Sequence, residues 1–328
     1  MLRYATIGRG SIVEQFIEGA RLSGKMSLEA VYSRSEADGR EFAQRYGVEK
    51  VYTSLDALAA DPDIDAVYIA SPNICHFEQS KAMLLSGKHV ICEKPITTNA
   101  KAYALLHDIA ESEGLIYMEA IIPIYTHFRA AIKEALGEIG NISMARLDYC
   151  QRSSRYDAFK AGERMNIFDM SLHAGTLMDL GVYCVYAAVD LLGMPDSITA
   201  TASYLENGCD GAGAALFSYP DFTAVLSYSK TGQSSVGCEI VGDKGSVVID
   251  KIGLYAEARL IKDGVTTPLT VFTPKEELMA LEASAFADFA AGLDHDKYTA
   301  ASRLCIDVHT CMDEIKRTAN IIYQEEEI

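Results

Sequence analysis

The 328-residue chain contains no tryptophan, only 8 prolines, and no surplus of basic charge. Lysine and arginine total 29 against 46 acidic residues, for a formal net charge of −17. A protein that neutralises phosphates needs a basic stripe. No run here supplies one, which excludes nucleic acid and anionic membrane surfaces as partners. No stretch approaches ~18 uninterrupted apolar residues, so no spanning helix is expected. A strand begins almost at once, by Leu2, leaving no room for a signal peptide. The eight cysteines (positions 75, 92, 150, 184, 209, 238, 305 and 311) include no CxxC pair, and most lie in apolar runs such as Val90-Ile91-Cys92. They read as small buried hydrophobes in a reducing compartment rather than disulfide or zinc ligands. The expectation is a soluble cytoplasmic protein without a metal.

What is present is an ordinary globular composition, 49% apolar and 23% charged. The length exceeds what one hydrophobic core usually supports, so two domains are predicted, at 1–121 and 122–328. The first alternates strand and helix. Strands read at Arg3–Ile7, Leu28–Tyr32, Val48–Tyr52, Ala66–Ala70, His89–Cys92 and Ile116–Glu119. Ser11 is expected to cap a helix whose apolar face is Ile12, Val13, Phe16, Ile17 and Ala20, and Ser35 to open another that stops at Gly47. Alternation with mostly unbroken apolar strands predicts an α/β, doubly wound parallel sheet with helices on both faces.

After Pro123 the pattern changes. A helix over Thr126–Leu136 is expected to stop at Gly137, followed by a strand at Asn141–Tyr149, an irregular stretch from Gln151 to Ser171, and a long helix over Gly175–Leu192. From Ser197 to about Val271, short strands are punctuated by turn signals such as Asn207-Gly208, Thr231-Gly232 and Asp263-Gly264. Those signals predict hairpins in an antiparallel sheet, making this an α+β domain. Helices at Lys275–Gly292 and Thr299–Tyr323 close the chain, ahead of a solvated tail, Glu325-Glu326-Glu327. A sheet of this size offers a face for a second subunit, so a homodimer or homotetramer is expected.

Five segments carry potential chemistry. Gly8-Arg9-Gly10-Ser11-Ile12-Val13 lies between the first strand and first helix, where a dinucleotide's pyrophosphate would sit. Gly8 suits the tight turn and Gly10 a close backbone approach, while Val13 replaces the third glycine of the usual pattern; the alternative is a purely structural turn. The second strand ends in Ser33-Arg34-Ser35 rather than in an acidic residue. A guanidinium flanked by hydroxyls favours NADP over NAD; otherwise Arg34 is a surface charge that stacks on adenine in either cofactor. Ser71-Pro72-Asn73-Ile74-Cys75-His76 and Glu93-Lys94-Pro95 fall at carboxyl ends of strands, where ligands bind in open α/β sheets. A lysine there is either a cleft residue fit for acid–base work or a surface residue. Lastly, Asp179 and Tyr183 are four apart and share a helix face that is otherwise apolar. They form either a hydrogen-bonded core pair or a ligand-facing one.

In this order and spacing, Gly8-x-Gly10, Pro72-Asn73-x-x-His76, Glu93-Lys94-Pro95 and Gly175…Asp179-x-x-x-Tyr183 resemble the Gfo/Idh/MocA oxidoreductases, across essentially the whole chain. The tyrosine at 183, where many members have histidine, resembles the branch of glucose–fructose oxidoreductase and dimeric dihydrodiol dehydrogenase. The resemblance implies a Rossmann domain followed by a large, mostly antiparallel open sheet. It also implies hydride transfer between nicotinamide C4 and a carbinol carbon, with Lys94 and Tyr183 catalytic and Asp179 assisting. Tyr183 would exchange the proton with the substrate oxygen, and Lys94 would stabilise phenolate and alkoxide. An unperturbed phenol titrates near 10, so an adjacent cation makes it useful near neutrality. Pro95 would orient Lys94, and His76 would lie near the nicotinamide. The implied cofactor-binding set is Gly8, Arg9, Gly10, Ser11, Ile12, Ser33, Arg34, Ser71, Pro72, Asn73, His76, Glu93 and Lys94.

A sugar, polyol or dihydrodiol-type cyclic alcohol fits the resemblance as substrate. His173, in the run before the helix, is expected to narrow or polarise the pocket. Arg152, Arg155 and Arg164 either bind substrate hydroxyls or a carboxylate, or are surface charge. Two rival functions are a glycosidase that oxidises its substrate transiently with retained NAD, and a non-catalytic dinucleotide sensor. The Ser33-Arg34 pair counts against the first, and the presence of Lys94 and Tyr183 against the second.

Overall fold

The computed structural model describes residues 1–323; the Glu325–Glu327 tail lies outside the described residues. The chain divides into two compact units, one of Met1–Tyr125 with Pro274–Arg303, the other of Thr126–Thr273 with the chain from Leu304 onward.

In the first unit, strands β1 (Leu2–Ile7), β2 (Met26–Tyr32), β3 (Lys50–Tyr52), β4 (Ala66–Ile69), β5 (His89–Glu93) and β6 (Tyr117–Ala120) form a parallel sheet ordered β3-β2-β1-β4-β5-β6. Helices α1 (Ser11–Ser23), α2 (Glu36–Arg45), α3 (Leu55–Ala59), α4 (His76–Leu85) and α5 (Ala100–Ser112) connect the strands. The winding reverses between β1 and β4, and that reversal opens a crevice at the carboxyl edge of the sheet. Tyr4, Ala5, Ile7, Val67, Tyr68 and Ile69 are wholly buried, as strands covered on both faces must be. Ser35 caps α2, accepting from the Asp38 N–H. Ser11 does not cap α1: Gly10, in extended conformation, takes that position with no side-chain cap, and Ser11 is the first helical residue.

In the second unit, α6 (Phe128–Glu138) leads to β7 (Ile142–Cys150). The helix runs through Gly137 and turns out at Gly140, whose φ is +78°. Glycine alone does not stop a helix; the left-handed turn comes where the chain must reverse into the strand. The stretch after β7 holds a short helix, α7 (Tyr156–Lys160), and two 3-10 turns. The long helix expected from Gly175 begins instead as a π turn, Leu177–Gly181, and becomes α-helical as α8 (Val182–Leu192). Strands β8 (Ser197–Tyr204), β9 (Asp210–Ser218), β10 (Thr223–Ser229), β11 (Cys238–Gly242), β12 (Gly245–Lys251), β13 (Ala256–Lys262) and β14 (Val265–Pro268) complete an eight-stranded sheet, β14-β13-β12-β11-β7-β10-β9-β8. Every pairing is antiparallel except β7 with β10; the chain between them passes through α8 and then strands β8 and β9. Helices α9 (Lys275–Ala290) and α10 (His295–Ala319) follow, α9 within the first unit and α10 belonging in part to each.

All eight cysteines are free. Among the described residues no helix is long and apolar enough to cross a membrane.

Candidate active site

Four neighbouring strands of the first unit, β2, β1, β4 and β5, end in the segments singled out from sequence. Gly8 has φ +120°, and a Cβ there would press to 2.7 Å from the Ala70 carbonyl oxygen, so only glycine makes this turn. A Cβ at Gly10 would meet nothing within 4 Å. The uncapped amide end of α1 therefore borders open space, while Val13 is buried behind it. These are the features a pyrophosphate cradle needs. Of Ser33-Arg34-Ser35, the two hydroxyls serve the turn: Ser33 Oγ accepts from the Ser35 N–H, and Ser35 Oγ from Asp38. Arg34 is exposed, and no described carboxylate pairs with it. The nearby Asp38 carboxylate is paired with Arg9 at 2.9 Å.

His76 joins two of these segments. Its ring is buried, with Nδ1 2.9 Å from the Pro95 carbonyl and Nε2 2.9 Å from the Ser71 carbonyl. It thus ties the Glu93-Lys94-Pro95 turn, whose Lys94–Pro95 peptide is cis, to the Ser71-Pro72-Asn73 loop. Burial lowers its pKa, against the pull of the two carbonyls. Glu93 accepts from Tyr68 (2.6 Å), and burial raises its pKa in spite of that bond. Lys275, which sequence reading passed over, donates to Gln15 of α1 at 2.7 Å and lies within electrostatic reach of Glu93 and Lys94. Burial lowers its pKa.

In the second unit, Asp179 and Tyr183 are the two partly exposed positions in an otherwise buried run from Gly175 to Asp190. The shared face holds although Asp179 lies in the π turn. The Tyr183 ring packs on Tyr149 of β7 at 5.5 Å between centroids. Asp179 Oδ2 is paired with Lys230 Nζ at 2.5 Å. The π turn itself starts on Asp210 of β9, whose Oδ2 accepts the Leu177 N–H at 2.7 Å and whose carbonyl accepts the Thr176 hydroxyl at 2.9 Å. Gly175, at φ +151°, passes so close that a Cβ would overlap the Asp210 carboxylate.

The sequence matches two family descriptions in succession: the GFO/IDH/MocA oxidoreductase family with an NAD-binding Rossmann fold over residues 2–121, and the GFO/IDH/MocA C-terminal domain over residues 125–248. The chain belongs to the GFO/IDH/MocA oxidoreductases. It is an NAD(P)-dependent enzyme acting on CH–OH groups. Among curated relatives it is 36% identical to the scyllo-inositol 2-dehydrogenase (NADP(+)) IolU of Bacillus subtilis, over 98% of both chains. It is 30% identical to the trans-1,2-dihydrobenzene-1,2-diol dehydrogenase of Mus musculus, over 80% of this chain and 78% of that one. Its fold matches KijD10, a 3-ketoreductase from Actinomadura kijaniata, with a TM-score of 0.84 at 22% identity over 97% of each chain.

The remaining residues singled out from sequence also have definite places in this GFO/IDH/MocA chain. Arg152 and Arg164 are taken up by Asp157 and Asp169, both at 2.6 Å, and Arg155 is exposed, all of which fits surface charge. His173 is buried in the left-handed conformation (φ 53°), its ring 5.2 Å from that of Tyr323, so its bulk packs the interior of its own unit. Lys230 and Asp210 escaped notice because each adjoins a turn signal, Thr231-Gly232 and Asn207-Gly208, that explained the local sequence without them.

Asp210 supports a pH prediction. Burial pushes its pKa up to about 6, against the hydrogen bonds it accepts. An unfolded aspartate titrates near 3.9, so between those values the folded state binds more protons and stability falls as pH rises. The loss is complete above pH 6 and is worth about 3 kcal/mol at 1.36 kcal/mol per unit. Asp210→Asn keeps an oxygen for the Leu177 N–H and removes the charge. Thermal melts from pH 4 to 8 are expected to show a Tm difference, variant minus parent, that grows up to pH 6 and then stays level. A difference independent of pH would contradict the buried-charge account.

Proposed function

We propose that this enzyme is an NADP-preferring dehydrogenase of a ring polyol, sugar or dihydrodiol-type cyclic alcohol, with Lys94 and Tyr183 as catalytic groups and Asp179 assisting. The observation that carries the NADP preference is Arg34, an exposed guanidinium at the end of β2 with no described carboxylate paired to it, beside an Asp38 paired with Arg9. The NADP dependence in the name of the 36%-identical Bacillus relative supports the same reading, as its inositol substrate supports a ring polyol. Gly8, Arg9, Gly10, Ser11 and Ile12 would hold the pyrophosphate, and Ser33 with Arg34 the ribose phosphate. Ser71, Pro72, Asn73, Glu93 and Lys94 would border the nicotinamide end, braced by His76.

When bound, the nicotinamide supplies hydride exchange with the carbinol carbon. The protein's own groups place the substrate and manage one proton. The Tyr183 phenolate takes the proton of the substrate hydroxyl and becomes the phenol, and the Lys94 ammonium offsets the negative charge first on the phenolate and then on the substrate oxygen. Asp179, an acceptor-only group when ionised, receives a hydrogen bond from a neighbouring substrate hydroxyl.

A cytoplasmic setting accords with eight free cysteines. A second copy of the chain would cover the outer face of the large sheet, where Met144, Leu216 and Val225 are exposed on adjacent strands.

The test is a fluorescence titration of nucleotide-stripped protein with NADPH and NADH, followed by absorbance at the reduced-nicotinamide band with NADP+ and a panel of scyllo-inositol, myo-inositol and trans-cyclohexane-1,2-diol. The chain has no tryptophan, so the nicotinamide signal is read directly. The expected result is tighter NADPH and NADPH formation with at least one ring polyol. Tighter NADH, or no turnover across the panel, would overturn the reading.

A further inference from the structure

Lys230 reaches the Asp179 turn from a remote stretch of sequence. It follows β10, and its backbone is tied on both sides: its N–H donates to the Gly211 carbonyl of β9 at 3.0 Å, and its carbonyl accepts from the Ser153 N–H at 2.8 Å. The side chain is 5% exposed, whereas that of Asp179 is 40% exposed. The ammonium also lies 5.6 Å from the centre of the Phe168 ring. Asp210 and Cys209, on and beside β9, feel its charge as well. The pair therefore runs from a covered, anchored cation to an accessible carboxylate. An ordinary surface ion pair joins two mobile, solvated ends and contributes little.

We propose that Lys230 is a positioning residue for the reaction, fixing the Asp179 carboxylate in one orientation and holding it anionic on the helix face that also carries Tyr183. A partly exposed aspartate otherwise samples several rotamers, and misplacement by an ångström is costly in a site that works by alignment. Tying one carboxylate oxygen to an ammonium whose own backbone is bonded to two neighbouring segments removes that freedom. The charge also keeps the group an acceptor, so it selects a substrate that presents a hydroxyl donor there. The proposal rests on the reading of Asp179 and Tyr183 as groups that serve the reaction.

The test compares K230M, K230R, D179N and the double variant D179N/K230M in the full chain, with NADP+ and scyllo-inositol or whichever panel polyol turns over fastest. K230M is expected to lower kcat/KM by roughly 10–100-fold, with NADPH affinity within about twofold of the parent. K230R is expected to recover most of the loss. D179N/K230M should be no slower than D179N alone, because the lysine acts through the aspartate. Melting supplies a readout independent of turnover. D179N strands a buried ammonium, whereas K230M leaves a carboxylate that water can reach, so D179N should melt lower than K230M and the double variant should recover part of the difference. Should K230M fail to fold, K230R and the double variant carry the comparison.

Parental turnover in K230M while D179N is impaired overturns the proposal alone. So do kinetic losses that multiply in the double variant. Parental turnover in D179N and in Tyr183→Phe overturns the reading beneath it.

Discussion

Tyr183→Phe is expected to lower kcat by roughly 10²–10⁴-fold, the usual contribution of a positioned proton-transfer group. NADPH affinity should be unchanged, since the variant removes one oxygen and leaves the ring on Tyr149, 5.5 Å away. The helix should also be unperturbed, because α8 is held by its buried face of Val182, Cys184, Val185 and Tyr186, and not by the hydroxyl. Steady-state kinetics with saturating NADP+ and a ring polyol, alongside a nucleotide titration, separate the two quantities. Turnover within a few fold of the parent would remove Tyr183 from the chemistry. Lys94→Met provides the companion measurement, and a loss there without a loss in Tyr183→Phe would reassign the proton to another group.

Arg34→Ala is the second large effect expected. A guanidinium bound to phosphate makes charge-assisted hydrogen bonds, stronger than neutral ones, which contribute about 1.5–3 kcal/mol. Their loss should weaken NADPH binding roughly 10–100-fold. NADH binding should move by less than a factor of about three, because the 2′-hydroxyl offers that guanidinium no charge to pair with. The Arg9–Asp38 pair should persist in the variant, since it does not involve position 34. A fluorescence titration with both reduced cofactors measures the ratio directly. Equal weakening of NADH and NADPH would mean that Arg34 contacts a part common to both, the adenine above all.

The alternation of strand and helix made the first sheet legible, because strands buried on both faces read as unbroken apolar runs and their boundaries as glycine or serine. Gly8 was legible for the same local reason: its neighbours in sequence announce a turn, and the Ala70 carbonyl then admits no Cβ. The GFO/IDH/MocA membership followed from four short motifs in order. What stayed hidden depends on partners far apart in the chain. Nothing near Lys230 announces Asp179, 51 positions earlier by number (230 less 179). Nothing near Asp210 announces the Leu177 N–H it accepts. The bracing partners of His76 were hidden for a related reason, since the two carbonyls that occupy its nitrogens come together only when both loops are folded. The π turn was missed because periodicity assumes 3.6 residues per turn, and one extra residue in a buried stretch leaves the apolar pattern nearly intact.

That turn has a consequence for how the enzyme can change. A π turn holds one residue more than the α-helix around it. Removing a single residue between Asp179 and Tyr183 is expected to restore a regular helix and to leave the two side chains three apart instead of four, on one face but closer along the axis. Length variation is thus a route to new specificity that point substitution cannot reach. Libraries that delete or insert one residue here should yield folded proteins with altered substrate ranges, whereas the same change in the middle of α8 should cost the fold.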